Sequence, residues 1–397
     1  MKRLLLTLLG MLLVFGNAPA AAFGWDIFAN PSARLKNCLL GHLDEKALDV
    51  LSGGRPDKRR LRKKAKKALS ACGNIGISGG SMAGKLIPFI DVHAHLMGGD
   101  FQGAAEKAFY LMDKIKIKQM IVMPPPQTFN QNIGDTIENY FSIVKDSNGR
   151  LKALGGGGTL NPMIMRAFAE GSVSDQLLNK FVERAHEIIE MGAIGFGEMT
   201  AEHISKREGH PYVSAPPDHQ LFMRLSDIAA KFNVPIDLHM EAVPREMEIP
   251  EKLKFRPNPD ILRANIPGLS NLLAHNRGAK IIWCHLGWGN IGTRTPDLMR
   301  ELLLNNNNLF MSIKLNKSGL REVFPMGMGG IIRDEWLALF KEFPDRFMIG
   351  SDVKPSARGI HKDSDRIPKM TSKFLGNLPA ELAKKFATEN AERIFKL

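Results

Sequence analysis

From residue 86 onward the sequence alternates short apolar runs with amphipathic stretches, and this alternation restricts the fold more than any other feature. The runs read "LIPFIDVHAH", "QMIVMPPP", "LKALGGGGTL", "AIGFGEMT", "VPIDLHME", "KIIWCHLGW", "LFMSIK" and "RFMIGSDV". Between them lie helical patterns such as "DQLLNKFVERAHEIIEMG" and "DHQLFMRLSDIAAKFN". These end near Gly192 and Asn233, residue types suited to a helix C-terminus. Each apolar run of strand length followed by a helical pattern reads as one βα unit. Eight such units predict an α/β fold, a closed (β/α)8 TIM barrel over residues 86–397 with right-handed crossovers. A doubly wound open sheet is the alternative, but no Gly-x-Gly-x-x-Gly follows the first strand.

In such a barrel the C-terminal strand ends carry the chemistry. The first run ends in His93 and His95, the fourth carries Glu198, the fifth His239, the sixth His285 and the eighth Asp352. Asp91, His93 and His95 are spaced at period 2, which predicts that all three face one side of the strand. Alone, His-x-His is equally compatible with two solvated histidines on an edge strand. Four of the chain's 11 histidines at these few strand ends favour a metal site. Four imidazoles with a glutamate and an aspartate form a donor set for zinc, manganese or iron.

The N-terminus, "MKRLLLTLLGMLLVFGNAPAAAFG", has a basic start at Lys2 and Arg3 and an apolar stretch from Leu4 to Phe15. Small residues at Ala18, Ala20 and Ala22 then offer a cleavage pattern, so residues 1–22 are expected to be a signal peptide. The apolar stretch is shorter than the ~20 residues of a spanning helix. Export to the periplasm or beyond is the expectation, with an uncleaved membrane anchor as the alternative.

Export would place the three cysteines in an oxidising compartment. Cys38 and Cys72 flank a stretch that reads as two short helices around Ser52-Gly53-Gly54, an expected helical extension over residues 23–80. A disulfide across it would contribute roughly 3–4 kcal/mol in the chain-entropy model; two free thiols are the alternative. Cys284 lies in an apolar run and is expected to be buried. "RPDKRRLRKKAKK" holds nine cations against Asp57, an important share of the formal net charge of +13. Residues 55–67 are thus a candidate contact for an anionic surface, or a solvated helix face. No aromatics interleave them, so nucleic-acid stacking is not expected. The glycine-rich stretch from Gly73 to Gly84 reads as a linker.

The strand-end residues and their order resemble the amidohydrolase superfamily of metal-dependent barrels, specifically its amidohydrolase-related branch. The C-terminal "LPAELAKKFATENAERIFKL", with Asn390 and Ala391, is also similar to that branch. The resemblance implies a divalent cofactor, zinc above all, with one or two ions per chain. It implies that His93, His95 and Asp352 hold one ion, that His239 and His285 hold a second where present, and that Glu198 bridges them. The alternative for Glu198 is an acceptor that orients a ligand histidine. It further implies that Asp352 moves protons, and that His285 is either a ligand or an electrophile and base.

The implied activity is hydrolysis of a C–N or C–O bond in a small amide, ester or lactone. Decarboxylation, known among relatives of the same branch, is the alternative, and a non-catalytic exported binding protein is a third reading. Lys314, Arg245, Arg294 and Lys354 follow catalytic-face strands and are candidate receptors for an anionic substrate group. Trp288 and Asn290 follow His285 and are candidate pocket residues, while the segment from Glu241 to Pro259 is a candidate rim or lid.

Overall fold

The computed structural model describes residues 38–52, 59–72, 87–129, 136–316, 320–327, 330–360 and 366–397. The expected signal peptide, the expected glycine-rich linker and residues 55–58 of the basic run lie outside the described residues. The chain divides into two compact units, residues 1–78 with 327–331, and residues 79–326 with 332–397. Among the described residues no helix is long and apolar enough to cross a membrane.

In the smaller unit, α1 (Glu45–Ser52) and α2 (Arg59–Cys72) form a helical pair. Leu61, Ala65, Ala68 and Cys72 recur at spacings of four, three and four, which puts them on one helix stripe. That stripe packs on Leu39, Leu43, Leu48 and Leu51. The cations between them, Arg60, Lys63, Lys64 and Lys67, are exposed. A Cys38–Cys72 disulfide, spanning 34 residues, ties the chain before α1 to the end of α2.

The larger unit is the barrel. Its strands are β1 (Phe89–Ala94), β2 (Ile117–Val122), β3 (Leu151–Ala153, resumed at Gly155–Gly156), β4 (Phe196–His203), β5 (Pro235–Met240), β6 (Lys280–Leu286), β7 (Leu309–Ile313) and β8 (Phe347–Ile349). Each pairs in parallel with its sequence neighbours, and β8 pairs with β1 at Asp91↔Ile349. The third strand joins β2 through Leu151–Ala153 and β4 through Gly155–Gly156, so the ring of eight closes. All eight apolar runs are strands.

Two apolar layers explain why those runs are continuous rather than alternating. One faces the surrounding helices and includes Ile236, Leu238, Ile281 and Trp283. The other fills the barrel's interior with Ile90, Val92, Ile121, Ile282, Phe310 and Met348, packed on Ile394 and Phe395 of the last helix. That helix, Asn390–Phe395, plugs the end where the strands start: Lys280, the first residue of β6, donates to the Ile394 carbonyl at 3.2 Å. The opposite end stays open to the βα loops. Local chemistry sets the helix boundaries. Ser174 caps Asp175–Glu190 by accepting from the Leu177 N–H at 3.2 Å, and Asn233 closes Gln220–Phe232 at φ 53°.

Asn390 donates through Nδ2 to the carbonyls of Pro344 (3.0 Å) and Phe347 (2.9 Å), fastening the plug to the start of β8. Asn390→Ala leaves both carbonyls without this donor, and we expect about 1–3 kcal/mol lower stability by urea denaturation.

Candidate metal centre

Three strands depart from regular pairing, each beside a functional side chain. Between Asp91↔Met120 and Ala94↔Val122, three steps of β1 face two of β2. The same mismatch occurs in β4 between Phe196 and Met199, around Glu198, and in β6 between Trp283 and Leu286, around His285. An extra residue on one strand bends it and re-aims its side chains. His285 (φ 63°) and Asp352 (φ 55°) also occupy the left-handed region, sparsely populated by residues with a Cβ. The bulge in β1 corrects the expectation for Asp91. It breaks the alternation, and the Asp91 carboxylate instead accepts from the Ser351 hydroxyl and from the Ser351 N–H at 2.9 Å.

His93 and His95 remain together. His93 Nδ1 lies 3.1 and 3.2 Å from the two carboxylate oxygens of Asp237, and His95 Nδ1 lies 2.9 Å from the Met123 carbonyl. Both partners are acceptors, so both Nδ1 atoms carry a proton, and each ring in its neutral form would present an Nε2 lone pair. These two Nε2 atoms lie 3.2 Å apart. Glu198 Oε2 is 3.7 and 3.3 Å from them, and Asp352 Oδ1 is 3.9 and 3.3 Å away. Four potential ligand atoms thus converge on one point. A divalent cation there could replace the proton that keeps His93 charged, and tetrahedral ligands at zinc distances would be spaced about 3.4 Å from one another.

The other oxygen of Glu198 faces a second group. Oε1 is 2.7 Å from His239 Nδ1, 3.1 Å from His285 Nε2 and 4.0 Å from Cys284 Sγ. Within each of two sets, His93/His95/Glu198 and Glu198/His239/Cys284/His285, the donor atoms lie within 4.8 Å of one another. The residues fit one or two divalent ions, with Glu198 shared.

Opposite charges are matched across the centre. Burial disfavours charge on both His93 and Glu198, yet each overcomes it through the other's opposite charge and nearby partners. Asp237 and Glu198 hold the His93 pKa well above its ordinary value, while His93 and the hydrogen bonds of His239 and His285 hold Glu198 well below its own. Burial, Lys314 and His93 keep His285 well below the ordinary imidazole value, in the neutral form that ligates metals. Asp352 is ionised: burial opposes this, but Lys314 and then Lys354 outweigh it and depress its pKa.

The structure therefore gathers His93, His95, Glu198, His239, His285 and Asp352 in one place, and Glu198, His239, His285 and Asp352 line the floor of a cavity of about 350 Å³. Lys314 and Trp288 line that cavity, and Lys314 Nζ is in direct contact with Asp352 Oδ2. Lys354 lies 3.5 Å from Asp352 Oδ1. Arg245 is exposed and outside the cavity lining. Arg294 is buried beneath the site, donating to the carbonyls of Trp283 (2.9 Å) and Cys284 (2.5 Å), so it does not reach the mouth. Asn290 likewise serves a neighbour, donating its N–H to Glu241 at 3.0 Å. The segment from Glu241 to Pro259 carries the Met247–Glu248 strand, which pairs with Ile261–Leu262, and packs Val243, Ile249, Leu253 and Leu262 together.

Sequence reasoning missed Asp237, although its spacing two residues before His239 was a usable signal. It also missed Cys284 as a site neighbour, and Lys206, Arg207 and His210, which line the mouth from the loop after β4.

No family model matches the chain, and no curated protein matches it. Among solved structures the chain is similar to amidohydrolase 2 from Bifidobacterium longum subsp. infantis, at 9% identity and a TM-score of 0.38, over 78% of this chain and 99% of that one. The barrel brings six ligand-type side chains together from the ends of strands one, four, five, six and eight.

Elemental analysis checks the centre. The purified parent protein is expected to carry divalent metal, and His93→Ala with His95→Ala to lose it while circular dichroism still reports a folded barrel, since strand tips serve function more than stability.

Proposed function

We propose that this chain is a metal-dependent hydrolase of the amidohydrolase type, acting on an amide, ester or lactone of a small molecule. The observation carrying this reading is Glu198, whose two oxygens serve two separate imidazole pairs at the floor of an open cavity, beside the ionised Asp352. Zinc is the ion we propose, from the nitrogen and oxygen donors and their spacing. When bound, a divalent ion lowers the pKa of water and polarises a carbonyl oxygen.

The protein's own groups manage the proton and the geometry. Asp237 fixes the ring of His93, and the Met123 carbonyl fixes that of His95, so both Nε2 atoms stay aimed inward. Lys314 holds one oxygen of Asp352, and the other faces the centre. Asp352 then accepts a proton from the attacking water as the new C–O bond forms. It returns that proton to the leaving nitrogen or oxygen as the old bond breaks. Water's hydroxyl ends on the acyl carbon and its hydrogen on the leaving group. Gly350 makes the approach possible: a Cβ there would meet the Ser312 side chain at 2.8 Å and His93 Cβ at 3.0 Å.

Decarboxylation is the competing reading, favoured by the cations around the mouth, which suit a carboxylate substrate. Release of CO₂ rather than hydrolysis products would identify it. We also propose that the protein is exported, since the N-terminal pattern and the Cys38–Cys72 disulfide both fit an oxidising compartment. The exposed cations of α2 are proposed to meet an anionic surface.

A screen of the zinc-loaded protein against amides, esters and lactones tests the reaction class. On the substrate it yields, Asp352→Asn should lower kcat by about 10²–10⁴-fold, because an amide keeps the shape but cannot accept the proton. Turnover at the parent rate in that variant would exclude Asp352 as the proton carrier. Glu198→Gln should reduce metal content, whereas a residue that merely orients His239 would leave it unchanged.

A further inference from the structure

The cavity above the metal centre has a mouth of unusual charge. Four cations line it, Lys206, Arg207, Lys314 and Lys354, and its only carboxylates are Glu198 and Asp352 on the floor. Those two carboxylates are already engaged, Glu198 by four imidazoles and Asp352 by Lys314, Lys354 and His95. Lys206 and Arg207 are different. Both are exposed, and neither forms an ion pair among the described residues.

The loop that carries them is nonetheless held firmly. The buried Asn258 accepts from the Ser205 N–H at 2.8 Å and donates to the Ser205 carbonyl at 2.9 Å. His203 Nδ1 lies 3.1 Å from the Pro211 carbonyl and closes the loop's base. Lys206 Nζ sits over the Trp288 ring, 3.4 Å from its centroid, and Lys314 Nζ lies over the same ring at 4.2 Å. The Trp288 ring therefore seats cations beside the site. Desolvation, then the charge of Lys314, pushes the Lys206 pKa down to about 7. Burial together with Arg207, Lys206 and Lys354 lowers His210 as well. Like charges are crowded there, and the anions that act on Lys206, Asp352 and Glu241, are already held by Lys314 and by Asn290.

We propose that the substrate carries an oxyanion, a carboxylate or a phosphate, which Lys206 and Arg207 receive at the mouth while its reactive bond lies over Glu198 and Asp352. This proposal rests on the site described above but not on which bond is cleaved. Lys314, committed to Asp352, positions that carboxylate and holds the cation-lined face of Trp288 rather than receiving the substrate. With a volume of about 350 Å³, the cavity suits a small acid rather than a polymer.

The test is calorimetric binding to the full-length zinc-loaded protein, with inorganic phosphate, glutarate and the neutral glutaramide as probes. The parent is expected to bind phosphate or glutarate more tightly than glutaramide, and the tighter of the two identifies the oxyanion. Lys206→Ala with Arg207→Ala should weaken that binding by roughly tenfold or more, with zinc content unchanged. Lys206→Arg should retain it, and Lys206→Gln alone provides a milder reading of the same loss. The proposal is overturned if the double variant binds the anion as the parent does, because the anion would then rest on the ions alone. It is equally overturned if the parent prefers neither anion to glutaramide. Anion binding of the expected kind, with no turnover of any amide, ester or lactone, would instead remove the hydrolase reading and leave this one standing.

Discussion

The rest of the site depends on a buried carboxylate shared between imidazoles. Glu198 is 4% exposed, and its two oxygens face His93 and His95 on one side and His239 and His285 on the other. An isolated carboxylate buried to that degree would be costly and would tend to become protonated. Here the opposite holds, because the surroundings supply donors and positive charge. Asp237 and the Met123 carbonyl accept from the Nδ1 atoms, which aims both Nε2 atoms at Glu198 and Asp352. The proton that keeps His93 charged there is what a bound divalent ion would replace.

The barrel supplies this convergence by breaking its own regularity. Side chains of a regular strand alternate, and adjacent residues cannot both face inward. An extra residue in β1 turns His93 and His95 to the centre after Ile90 and Val92 have filled the interior. The bulges at Glu198 and His285 act alike, and the latter lets Cys284 and His285 both approach Glu198. The two ends of the barrel thus divide the labour. The strand starts are sealed by Phe395, Ile394 and the Asn390 hydrogen bonds, and the strand ends are left to irregular backbone and polar side chains.

Charge is layered along the same axis. Imidazoles and carboxylates occupy the floor, Lys314 and Lys354 flank Asp352, and Lys206 and Arg207 stand at the rim. Lys314 has a carboxylate in direct contact, whereas Lys206 and Arg207 form no ion pair among the described residues, and their charge is proposed to meet what enters. The roles proposed for Lys314 and Lys206 therefore differ, although both residues are simply cations near the ends of barrel strands.

The sequence by itself determined the number and type of the strands, because runs such as "KIIWCHLGW" are apolar on both faces and parallel strands under helices need that pattern. It also determined which residues stand at the strand ends, since each lies where an apolar run stops, and so six ligand-type side chains were legible without coordinates. Tertiary structure alone decided which of them meet. Period-2 reasoning placed Asp91 with His93 and His95, and a bulge, which depends on pairing with a neighbouring strand, sent it to Ser351. Arg294 read as a mouth residue because it follows β6, yet the carbonyls of Trp283 and Cys284 draw it beneath the site. Lys206 and Arg207 gave no periodic signal, since they belong to a loop whose course is set by Asn258, 53 residues beyond Ser205. Local patterns fix what a strand can bury; contacts between residues far apart in the chain fix where its ends point.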